Sequence, residues 1–183
     1  MAQPIAAWLR RRFGAQVIWL PFDLHPEYPP EGLPRAQLLA RYGDGMVERM
    51  TESFAARGLV YNPHPGVVPS TRSALRLAEL ARDLGRHDAM HERLMDAYWA
   101  EAQDIGDPDV LRALAAEIDL PEQDVDEVLT TDRYADFVEN STEQAISIGA
   151  NAVPAFVLDR RMLVLGAQSE AIFEGAIAQL GET

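Results

Sequence analysis

An α/β fold with a large, all-helical middle is predicted by three observations. First, the short apolar run Val17-Ile18-Trp19-Leu20 has the β-branched and aromatic character of a buried strand. Second, two similar runs, residues 155–158 and 162–165, flank Asp159-Arg160-Arg161 and read as a hairpin. Third, the apolar positions between these two regions recur at helical spacing throughout.

The elements follow in chain order. Ile5, Trp8, Leu9 and Phe13 recur at spacings of three and four, which predicts an amphipathic first helix. Arg10, Arg11 and Arg12 suit its C-terminal end, and Gly14 supplies the stop. Pro21 ends the Val17–Leu20 run, and Pro26, Pro29, Pro30, Gly32 and Pro34 mark an extended loop. Residues 35–42 and 46–57 read as helices broken by Gly43 and Gly45, and Gly58 stops the second. After a connection over 59–69, Ser70 or Thr71 caps a helix through Leu75, Leu77, Ala78, Leu80 and Leu84 to Gly85. Another runs from about His87 to Glu101. Asp107-Pro108 places a cap before a first-turn proline and starts a helix to about Ile118. Leu120-Pro121 begins a shorter one, whose acidic start from Glu122 to Asp126 suits the helix dipole and reads as a solvated face. Thr131 or Asp132 caps a long helix through Tyr134, Phe137, Val138, Ala145 and Ile148 to Gly149. After the hairpin, whose turn lacks Asn-Gly or Asp-Gly, Ser169 caps a last helix with Ile172, Phe173, Ala176, Ile177 and Leu180. No internal repeat or low-complexity tract appears.

Composition narrows the function classes. At 183 residues, with 48% hydrophobic and 25% charged residues, the chain fits one domain, or one domain carrying a large insertion. A net charge of −13 argues against a nucleic acid as partner, because phosphates would be repelled. All 16 basic residues are arginine, which reads as codon usage with little functional content. No apolar run approaches a membrane span, and the first residues lack the order of a signal peptide. No membrane partner and a cytoplasmic location are therefore expected. The chain has no cysteine, which excludes disulfides, thiolate metal sites and thiol catalysis by its own residues. No phosphate-cradling glycine loop and no Gly-x-Ser-x-Gly elbow occurs.

Specific blocks carry a resemblance. Trp19-Leu20-Pro21-Phe22-Asp23-Leu24-His25-Pro26, with Pro29-Pro30-Glu31-Gly32, resembles the second-strand signature of FrnE-type members of the DsbA family. Gly149-Ala150, Val153-Pro154-Ala155-Phe156-Val157 and Gly166-Ala167-Gln168 resemble their C-terminal signature. Residues 70–99 are similar to their helical insertion, with Ser70 where asparagine is more usual. More distantly, the chain is similar to kappa-class glutathione transferases and 2-hydroxychromene-2-carboxylate isomerases. The resemblance implies a thioredoxin-like fold divided as 1–34 (first helix and second strand), 35–148 (inserted helical domain) and 149–183 (cis-proline hairpin and last helix).

The family begins with a strand and a Cys-Pro-Trp-Cys or similar motif, and this chain has neither. The first central strand of that fold is thus absent, which leaves Val17–Leu20 without a neighbour and the hairpin edge bare. Each backbone group so orphaned costs about 1–3 kcal/mol if buried away from water. The expectation is that Met1 is an internal start, with the strand and motif encoded upstream.

The resemblance implies a thiol–disulfide oxidoreductase that is inactive as written. The alternatives are a glutathione-dependent transferase or isomerase, and a non-catalytic binding protein that keeps the groove. No catalytic residue is assigned. Val153 and Pro154 are the substrate-binding candidates, with a cis bond that turns Val153 toward an extended peptide or glutathione. Gln168 and Ser169 precede the last helix and are candidates for holding a glutathione carboxylate, against a plain helix cap. No cofactor is expected, although glutathione is a candidate substrate. The expected partner is a thiol or disulfide protein or a small thiol, and an open strand edge makes a homodimer an expectation too. His87 and His91 have the i, i+4 spacing of zinc ligands but no third ligand, so no metal is assigned and the pair reads as a solvated face. His25 and His64 lie in proline-rich loops, and Trp8, Trp19 and Trp99 read as core.

Overall fold

The computed structural model describes residues 2–43 and 45–181. These residues fall into two units, one made of residues 1–24 and 141–183, the other of residues 25–140.

The first, the sheet unit, opens with α1 (Ala2–Phe13), whose three arginines close its last turn and whose Ala6 and Leu9 are buried. Near the other end of the chain, β3 (Ala155–Leu158) and β4 (Met162–Leu165) form an antiparallel pair, followed by α9 (Glu170–Gly181). In this register Phe156 opposes Val164 and Leu158 opposes Met162, so all four share one face. That face packs with Ile5, Trp8 and Leu9 of α1 and with Phe173, Ala176 and Ile177 of α9. Phe156 meets Phe173 edge-on at 4.9 Å, and Phe173 is completely buried. On the opposite face, Val157 is 49% exposed. The hairpin turns through Asp159 (φ 49°) and Arg160 (φ 58°), with the Arg161 N–H donating to Leu158 O at 3.0 Å. The left-handed backbone expected of Asn-Gly is thus carried by two residues with side chains.

The predicted strand over Val17–Leu20 is not formed. Residues 14–23 have no regular secondary structure, although exposure alternates along Val17, Ile18, Trp19 and Leu20 as it would in a strand. The outward members, Ile18 and Leu20, are 63% and 67% exposed. A strand exists through its ladder, and among the described residues none lies beside this segment to pair with it. Side chains tether its end instead. Ser141 Oγ donates to Pro21 O at 2.7 Å, and the Asp23 N–H donates to Thr142 Oγ1 at 3.0 Å with both residues buried.

The second, helical unit is built on one large core. A two-residue ladder pairs β1 (Leu33–Pro34) with β2 (Val67–Val68), and around it stand α2 (Arg35–Tyr42) and α3 (Gly45–Ala55). The core proper belongs to α4 (Arg72–Asp83), α5 (His87–Trp99), α6 (Pro108–Glu117) and α7 (Glu122–Thr130). Leu77, Leu80, Met90, Leu111, Leu114 and Val128 are each under 2% exposed within it. The predicted cap of α6 is present, with Asp107 Oδ1 accepting from the Asp109 N–H at 2.8 Å. The first turn of α7 is acidic, with Glu122 and Asp124. Finally, α8 (Ala135–Ser147) begins in this unit and ends in the other.

The helical unit therefore covers 25–140, whereas the sequence division placed its ends at 35 and 148. Two sets of bonds account for the difference. The β1–β2 ladder and the Arg35 guanidinium, which donates to His64 O at 2.5 Å, bind the proline-rich loop to residues 64–68. Ser141 and Thr142 bind the later turns of α8 to residues 21–23.

The arginines carry more structure than codon usage implies. Arg76 donates to the carbonyls of Val128 and Thr131 at the C-terminal end of α7, and Arg86 does the same at Ile118 after α6. One forked guanidinium satisfies two helix-end carbonyls that would otherwise lack partners, which a lysine could not do with the same rigidity.

Candidate functional site

One side of β3 is unpaired among the described residues. Pro154 O accepts the Gly166 N–H at 2.7 Å, which closes the hairpin in register. Because antiparallel ladders alternate, Phe156 and Leu158 then face β4 while the N–H and C=O groups of Ala155 and Val157 point away from it. No described strand pairs that side. The Val153–Pro154 peptide bond is cis, and Val153 is 51% exposed. Val153, Ala155 and Val157 thus line one exposed edge whose chemistry is main-chain pairing with an apolar flank. An edge of this kind can add an extended peptide as a further strand.

The second candidate, Gln168 with Ser169, is occupied differently. Gln168 Nε2 donates to Leu165 O at 2.8 Å, and its backbone N–H closes a tight turn to Gly166 O at 3.0 Å. Ser169 O accepts from the N–H of Ile172 at 3.1 Å as α9 begins. Glu170 stands in the first turn, where its carboxylate already uses the favourable end of the dipole. The structure thus commits the Gln168 amide to shaping the loop between β4 and α9.

The histidine pair is not the solvated face expected from sequence. The His87 side chain is only 11% exposed, and its ring stacks on that of His91 at 6.1 Å and 12°. The reason is Glu79, a carboxylate 3% exposed on α4, which holds the α4–α5 corner through Arg82. Burial pushes the His91 imidazole down to about 4, with His87 adding to the shift. Among the described residues, no cluster of three or more His, Cys, Asp or Glu side chains could hold a metal ion.

His64 uses Nδ1 to accept from the N–H groups of Gly66 and Val67, both at 3.1 Å. His25 stacks flat on Tyr28 at 4.4 Å and meets Glu27 Oε1 at 3.0 Å. Trp99 joins Phe54, Tyr61 and Tyr98 in an aromatic cluster, and Trp8 packs with the α1–α9 core. Glu79 and Arg82 were not legible in the sequence as a buried pair. Their i, i+3 spacing was visible, but nothing in the pattern told a buried carboxylate from a solvated one.

No helix among the described residues is long and apolar enough to cross a membrane. Comparison with known proteins agrees with the fold. The chain is 31% identical to a probable DsbA oxidoreductase of Streptomyces coelicolor, SCO1869, whose crystal structure superposes with a TM-score of 0.86 over 99% of this chain and 82% of that one. It is 27% identical over 165 residues to the protein YwbO of Bacillus subtilis (strain 168), covering 89% of this chain and 81% of that protein. The DSBA-like thioredoxin domain matches residues 2–178. A sheet unit of α1, a hairpin and α9, divided in sequence by a helical unit over 25–140, thus has a family: the chain belongs to the DSBA-like thioredoxin domain family.

Proposed function

We propose that these residues form the substrate-holding part of a FrnE-like thiol–disulfide oxidoreductase, silent in exchange when acting alone. The observation that carries this reading is the exposed Val153 at the head of β3, in a chain with no cysteine. Disulfide exchange proceeds by attack of a thiolate on sulfur, and no residue here can supply one. The edge suits an extended segment of a thiol or disulfide protein, with Val153 and Val157 offering apolar contacts on either side of Ala155.

A glutathione-dependent transferase or isomerase finds less support, because the Gln168 amide is spent on Leu165 O and Glu170 would repel a second carboxylate. A non-catalytic binding protein would use the same β3 edge, as would pairing of two copies into a homodimer.

The chain as it stands is expected to show no turnover above buffer in insulin-reduction and glutathione-oxidation assays. An extended peptide titrated into isotopically labelled protein should shift the amide signals of Val153, Ala155 and Val157. Measurable turnover would overturn the thiol argument. Shifts that cluster elsewhere, or a dimer whose dissociation is needed before peptide binds, would overturn the assignment of the edge to substrate.

A further inference from the structure

The corner joining α4 to α5 contains a three-residue chain that the proposed function does not use. Glu79 is buried, so its carboxylate must be paired. Arg82 pairs it twice, Nε to Oε2 at 2.7 Å and Nη2 to Oε1 at 3.2 Å. The same Nη2 lies 2.8 Å from His87 Nε2. A guanidinium has only donors, so His87 Nε2 is the acceptor and the ring is neutral, with its proton on Nδ1. His87 Nδ1 is buried and meets no hydrogen-bond acceptor among the described residues, since Asp88 Oδ1 stands at 3.9 Å. The charged and titratable groups facing this ring are Glu79 and Arg82 from α4, and Asp88 and His91 from α5.

We propose that these residues form a proton-operated partner exchange, in which His87 takes a proton from solvent and the Glu79 carboxylate passes from Arg82 to the imidazolium. A proton on Nε2 would aim one N–H at another across 2.8 Å, and the two donors must part. The acceptor left within reach is Glu79 Oε1, at 3.9 Å from Nε2. A shift on the order of 1 Å makes that a hydrogen bond. Arg82, whose side chain is 30% exposed, can then turn to water.

The corner where this happens is narrow. It consists of Leu84, Gly85 at φ 70° and Arg86, the residue that clamps Ile118 O after α6. Loss of the Arg82 bridge therefore loosens the start of α5 and that clamp together.

The sign follows from burial and from Arg82, which together hold the His87 imidazole below its ordinary range. The unfolded chain binds the proton more readily than the folded one. Stability from this corner is thus fully present above about pH 6.5 and falls as the pH drops toward the folded value.

The test follows the His87 ring and the Arg82 Nε–H by NMR in the full chain, from about pH 7.5 to about pH 4.5. As His87 titrates, the Arg82 Nε–H signal should collapse toward solvent exchange. Amide protection over residues 84–90 should fall roughly tenfold beyond the change in intrinsic rate. His87→Gln, whose carbonyl accepts from Arg82 but takes up no proton, should show a flat profile, while His91→Gln should behave as the parent does. An Arg82 signal that stays put while His87 titrates would overturn the exchange, and this readout needs no variant to fold. The same pH response in His87→Gln would overturn it as well.

Discussion

Leu77 of the helical unit and Phe173 of the sheet unit are both fully buried, yet their surroundings differ in kind. Leu77 sits in a continuous core of fifteen buried residues drawn from α4 to α7 and the segments between them. Phe173 is one of four buried residues in a cluster completed by half-covered neighbours. Among the described residues, nine of the fourteen large hydrophobic side chains left exposed belong to the smaller sheet unit, including Ile18, Leu20, Val153 and Val157. Single exposed apolar residues are ordinary on any surface. Their concentration in one unit shows that the sheet unit buries its apolar side chains less completely than the helical unit does. The charge is divided in the opposite sense: the sheet unit has five arginines against six carboxylates, the helical unit eleven against 23. The well-filled, strongly acidic part of the molecule is thus the helical unit, while the unpaired β3 edge belongs to the thinly built part.

Truncations at these two residues offer the largest way to break the comparison. Phe173→Ala should cost about 3–5 kcal/mol and Leu77→Ala about 2–5 kcal/mol. The decisive readout is where the damage appears. The Phe173 change should strip hydrogen-exchange protection from β3 and β4 while leaving α4 to α7 protected. The Leu77 change should lower protection throughout the helical core. If Phe173→Ala destabilised α4 to α7 as much as the hairpin, the two units would fold as one and the contrast would fail.

The helices were legible in the sequence because each carries its own signal. Asp107-Pro108 named the start of α6, and Leu77 and Leu80 kept helical spacing within α4. The hairpin was legible for the same reason, since Phe156 and Val164 meet after only a short turn. Val17–Leu20 was legible only as composition: the same reading already left it without a neighbour, and a strand depends on one. The Val153-Pro154 block pointed to the candidate edge. The Glu79–Arg82–His87 chain stayed hidden because burial, not spacing, gives it meaning. The arginine clamps were hidden too, since Arg76 and Arg86 reach carbonyls more than thirty residues away.

A smaller effect of opposite sign sharpens the contrast at the hairpin. Arg160 holds a left-handed backbone that glycine adopts without cost, and Asp159-Gly would complete a favoured turn pair. Arg160→Gly should therefore stabilise the protein by about 0.5–1 kcal/mol, after allowing for the greater freedom glycine gives the unfolded chain. A thermal melt that moved down instead of up would show that the Arg160 side chain, not its backbone, matters at this turn.

Residue-resolved hydrogen exchange of the unmodified chain near neutral pH tests most directly whether an open sheet unit sits beside a well-filled helical one. The amides of α4, α6 and α7 should exchange slowest, near the global limit, and those bonded between β3 and β4 should exchange roughly 10- to 100-fold faster. Equal protection of the hairpin and the helical core would contradict the account.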